Sequence, residues 1–78
     1  MKLFFISRLK ERVMLRQNLK DARMEKQYTQ TEIARCAGIT VRQYQAIEAG
    51  TSDGSVKVWC KLKDLLNKPI DYLLEQVV

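Results

Sequence analysis

Apolar residues recur along this chain at helical spacing. Leu15, Leu19 and Ala22, with Arg23 beside them, are separated by charged and amide residues, which predicts an amphipathic first helix over about 15–26. Upstream, Phe5, Leu9 and Val13 keep a four-residue interval that carries this helix back as far as Ser7, while a domain start at Met14 is equally compatible. Thr29 is followed three residues on by Glu32, the spacing of a reciprocal side-chain and backbone cap, and Ile33, Ala34 and Ala37 then form a short apolar face ending at Gly38. Thr40 and Gln43 repeat the cap and open a third helix with Tyr44 and Ile47 inward and Gly50 at its end. Beyond the polar run 51–55, a fourth helix is predicted from about Val56 to Leu66, with Val58, Trp59, Leu62, Leu65 and Leu66 mostly on one side. Pro69 suits a first helical position, and Ile70, Leu73 and Leu74 make a short last helix. No alternation of strand type interrupts the series. The expected fold is all-α with five helices, residues 14–78 forming the domain and residues 1–13 an N-terminal extension that is an extra helical turn, an arm or a disordered tail.

Composition narrows the function. Seventy-eight residues hold one small domain, which excludes a two-domain enzyme. The net charge of +5 favours a polyanionic partner, and it is all N-terminal. Through Arg23 there are seven basic residues (Lys2, Arg8, Lys10, Arg12, Arg16, Lys20, Arg23) against Glu11 and Asp21, so residues 24–78 are neutral. With two cysteines and no histidine, a four-ligand zinc site within one molecule is not expected, nor any other metal or cofactor. Cys36 and Cys60 read as small buried hydrophobes rather than a disulfide, which implies a reducing cytoplasm. No run reaches the roughly 18 to 20 apolar residues that span a bilayer. Gly50 and Gly54 lack the Lys-Ser or Lys-Thr of a phosphate-binding loop, and without histidine a Ser or Cys nucleophile lacks its commonest base; enzymatic activity is not expected.

The segment from Tyr28 to Gly50 resembles the helix-turn-helix of the Xre family of phage repressor and Cro-like DNA-binding proteins. The family pattern of T-Q-x-E-L-A, a glycine turn, and a helix ending in I-E-x-G is present as Thr29-Gln30-Thr31-Glu32-Ile33-Ala34, Gly38 and Ile47-Glu48-Ala49-Gly50, with Ile33 in place of leucine. The likeness runs from about Leu15 to Glu75, where Pro69-Ile70-Asp71-Tyr72-Leu73-Leu74-Glu75 looks like the family's fifth helix. It implies a cytoplasmic regulator of transcription, prokaryotic or from a phage or prophage, that represses by binding double-stranded DNA with a recognition helix at about 41–48 in the major groove.

By the same resemblance, Gln30 binds phosphate and braces the recognition helix. Val41, Arg42 and Ala46 face base edges, flanked by Gln43 and Gln45. Arg42 has the fork to bond guanine, and Val41 to cover a thymine methyl. Thr40, Thr51, Ser55 and Lys57 are candidate phosphate contacts, although Thr40 and Ser55 read equally well as caps. The 51–55 loop departs from the basic version common in the family, having an acid and no lysine or arginine, so Arg16 and Lys20 are expected to compensate. Arg23 and Glu48 occupy the positions of a structural ion pair, and Gly38 those of the turn. A homodimer on a palindromic operator is implied, through Leu73, Leu74, Val77 and Val78 or, competing with them, Leu3-Phe4-Phe5-Ile6. The rival function is a protein-interaction module on the same fold, an antitoxin or phage-encoded inhibitor, which apolar Val41 and Ala46 keep open. Membrane-surface attachment through the basic N-terminal segment is a third, weaker reading.

Overall fold

The computed structural model describes residues 15–76, and these form five helices: α1 (Gln17–Glu25), α2 (Gln30–Ala37), α3 (Val41–Ala49), α4 (Val56–Leu66) and α5 (Ile70–Leu74). The all-α expectation holds. Local chemistry sets most boundaries. At both α2 and α3 the full reciprocal cap forms: Thr29 Oγ1 accepts from Glu32 N at 3.0 Å while Thr29 N donates to Glu32 Oε1 at 2.8 Å, and Thr40 and Gln43 do the same at 3.0 and 2.9 Å. Gly38 ends α2 at φ 79°, a left-handed conformation in which its missing Cβ avoids strain. The turn to α3 is thereby confined to three residues.

Each helix contributes a stripe to one core. Ile33 and Leu19 meet Tyr44, Leu62, Leu66 and Leu73, all without solvent exposure. Packing joins α2 to α3 and α4, α1 to α3 and α5, and α4 to α5. Asn18 fastens the first helix to the last, its amide donating to Tyr72 O at 3.0 Å and to Glu75 Oε1 at 2.8 Å.

Several expectations need correction. α1 begins at Gln17 because Arg16 has non-helical backbone angles, so Leu15 is not part of the inward stripe and is 45% exposed. A helix running back to Ser7 is not continuous with α1, and residues 1–14 lie outside the described residues. Pro69 precedes the first helical residue rather than occupying it. Cys36 and Cys60 are exposed free thiols, not buried hydrophobes. Helical register is the reason: with Ile33, Ala34 and Ala37 inward, Cys36 falls off the stripe, and Cys60 lies opposite Val58 and Leu62. Leu73 is wholly buried, which removes it from any dimer face; Leu74 is 37% exposed, and Val77, Val78 and residues 3–6 are outside the described residues.

Candidate nucleic-acid interface

α3 has two unlike faces. Tyr44, Ile47 and Glu48 point into the core, whereas Val41, Arg42, Gln43 and Gln45 are exposed and Ala46 is half-buried. What fixes the rotation of this helix is a buried carboxylate. Arg23 on α1 donates to Glu48 through Nε at 2.9 Å and Nη2 at 3.3 Å, Tyr44 Oη donates at 2.7 Å, and Gln30 Nε2 at 2.9 Å. The remaining arm of Arg23 donates to Tyr28 O at 2.9 Å, which ties the α1–α2 link to the same cluster. Burial pushes the Glu48 pKa up, but hydrogen bonds from Arg23, Tyr44 and Gln30 outweigh it and leave the group below its ordinary value. The Arg23 pKa is raised by its hydrogen bond to Glu48, and burial raises that of Tyr44. The pair is fully charged at neutral pH and joins α1 to α3, as the resemblance implied for Arg23 and Glu48.

Gln30 is placed between the cluster and the surface. Its amide nitrogen serves Glu48, and its oxygen accepts from Gln45 Nε2 at 3.1 Å. A hydrogen-bonded line therefore runs from exposed Gln45 through Gln30 to the buried carboxylate. Lys20 is exposed and shares with Gln30 and Gln45 the lining of an open hollow of about 200 Å³ between α1 and the outer face of α3. Of the other candidates, Gln43 and Thr40 are engaged in the α3 cap, leaving the Gln43 amide nitrogen outward. Thr51 turns its hydroxyl proton to Ala46 O at 3.1 Å, Ser55 caps α4 by accepting from Val58 N at 3.2 Å, and Lys57 is exposed beyond it.

Arg16 is not a surface cation. It is 3% exposed; Nη1 donates to Ile47 O at 2.7 Å and Ser52 O at 2.9 Å, and the guanidinium lies 5.3 Å from the centre of the Trp59 ring. Its expected phosphate contact is corrected, because its charge is directed inward at backbone carbonyls. Burial lowers its pKa and nearby Asp53 partly restores it, yet guanidinium stays protonated. Trp59 Nε1 donates to Asp53 O at 2.7 Å, and the Asp53 side chain is fully exposed. Neither Trp59 nor Arg16 was legible as a loop-holding group; a lone tryptophan is the only sequence signal that pointed there.

The sequence matches a known family. A family model described as helix-turn-helix, HTH_3, covers residues 19–73. An uncharacterized HTH-type transcriptional regulator, YqaE of Bacillus subtilis (strain 168), is 36% identical over 62 residues, which is 80% of this chain and 53% of that protein. The chain thus spans about half the length of this curated relative. With two capped helices across a glycine turn, a five-helix core and a match over most of its length, the chain belongs to the Xre-like helix-turn-helix family.

Proposed function

We propose that the protein is a sequence-specific transcriptional regulator of prokaryotic or phage type that binds a palindromic double-stranded operator as a homodimer and represses by occlusion. One observation carries this reading: α3 is locked on one side by Tyr44, Ile47 and Glu48 and open on the other at Val41, Arg42 and Gln45. A helix held at a set rotation with a free guanidinium near its start is what base readout in the major groove needs. Arg42 donates to guanine and Val41 covers a thymine methyl, while Ala46 allows close approach. Lys20, Gln30 and Lys57 hold phosphates, Thr51 joins them once its hydroxyl turns from Ala46 O to the duplex, and Gln43 and Gln45 border the bases. Two half-sites about one helical turn apart supply the affinity that a single short helix lacks.

Selection from a random duplex library at two salt concentrations, repeated with Arg42→Ala, tests the reading. A two-fold symmetric motif is expected, with Arg42→Ala costing about 1–3 kcal/mol and relaxing one symmetric position. Weak retention that vanishes with salt and enriches no motif overturns it in favour of a protein-binding module, for which exposed, apolar Val41 is the supporting feature.

A further inference from the structure

We infer that Arg16 is a positioning residue for DNA binding: it ties the last turn of α3 to the 51–55 loop and to Trp59, so that α3 and the start of α4 meet the duplex as one body. The inference rests on the DNA-binding reading above. Its basis is the set of groups that Arg16 joins. Ile47 O and Glu48 O belong to the end of α3; Ile47 O accepts from Gly50 N at 3.1 Å and also from the Arg16 side chain at 2.7 Å, and Arg16 N donates to Glu48 O at 3.1 Å. A cation there also complements the negative end of the helix dipole. The same Nη1 reaches Ser52 O at 2.9 Å, and Nη2 lies 4.0 Å from Asp53 Oδ1.

Trp59 clamps the loop from α4. Its indole nitrogen holds Asp53 O, its ring lies against the guanidinium, and Gly54 is packed so tightly that an added Cβ would come within 2.9 Å of Trp59 Nε1 and 3.2 Å of Ile47 Cδ1. The loop carries no lysine or arginine of its own, so its contribution to binding is spacing: it sets where Ser55, Lys57 and the α4 N-terminus stand relative to Arg42. Arginine suits this post and lysine does not. The flat guanidinium lies against the Trp59 ring while Nη1 bonds both carbonyls, whereas an ammonium has donors for the carbonyls but no flat face for the ring. Arg16 Nε, buried without an acceptor, shows that the Nη end does the holding.

The test uses the full chain and the duplex obtained by selection, with affinity followed across a salt series. Arg16→Gln is expected to weaken binding about tenfold or more, comparable to one mismatched base pair, without changing the salt slope. Arg16→Lys is expected not to rescue it, and in both variants the Trp59 indole proton exchanges faster. Lys57→Ala, a lost phosphate contact, lowers the slope by about 0.9. Gly54→Ala disturbs the loop with Arg16 intact and is expected to copy Arg16→Gln, which keeps the test decisive if that variant does not fold. Wild-type affinity in Arg16→Lys or Arg16→Gln overturns the inference, as does a slope lowered by about 0.9 in Arg16→Gln, which is the signature of a phosphate contact. Failure of the unmodified protein to bind any duplex is a different result, and overturns the DNA-binding reading itself.

Discussion

Three side chains donate to the two oxygens of Glu48, so the carboxylate is satisfied only as a set. Removing Arg23 leaves a buried negative charge without its cation; Arg23→Ala is expected to cost about 3–5 kcal/mol in urea unfolding at pH 7. The depressed Glu48 pKa has a definite sign. Its contribution is present above the unfolded value near 4.5 and is lost as pH falls through the lower folded value. Glu48→Gln is therefore expected to lower the urea midpoint at pH 7 and to flatten the loss of stability below about pH 4.5; an unchanged acid limb would show that other carboxylates govern it. Arg23 and Glu48 were legible from the family pattern. Arg16 was not, because nothing in the sequence distinguishes a cation that caps a distant helix from one that stays in water.

Helix ends carry separate, smaller energies. Thr40→Ala removes the oxygen that accepts from Gln43 N and is expected to cost about 1 kcal/mol, lowering Tm by roughly 4–8 °C in a domain of this size. Gln27 makes the opposite case. It follows α1 in a left-handed conformation, φ 63°, with Gln27 N donating to Met24 O and Tyr28 N to Arg23 O, a helix end that glycine fills without side-chain strain. Gln27→Gly is expected to raise stability by up to about 1 kcal/mol, measured by denaturant midpoint; a fall in the midpoint would place the backbone entropy of glycine above the strain it relieves. The caps of α2 and α3 were readable because both partners lie within four residues. The start of α1 was misplaced because Leu15 continues an apolar spacing that the backbone at Arg16 breaks.

The bundle as a whole depends on residues that several helices share. Leu62 is fully buried in the cluster formed with Leu19, Ile33 and Leu66, so Leu62→Ala is expected to cost about 2–5 kcal/mol, read from urea unfolding, and to weaken DNA binding only through the unfolded fraction. A loss of affinity beyond that fraction would show that core packing also tunes the orientation of α3. By itself the sequence determined the five helices of the described residues, the reciprocal caps at Thr29 and Thr40 and the glycine turn. Each of these follows from neighbours within a turn or two, where spacing along the chain is distance in space. Only the tertiary structure decided that Arg16 is buried between α3 and Trp59, that Gln30 links Gln45 to Glu48, that Leu15 is exposed, and that Leu73 belongs to the core. Those outcomes depend on which elements meet, and residues 31 or 36 positions apart, as Arg16 is from Ile47 and Ser52, have no periodicity that announces their contact.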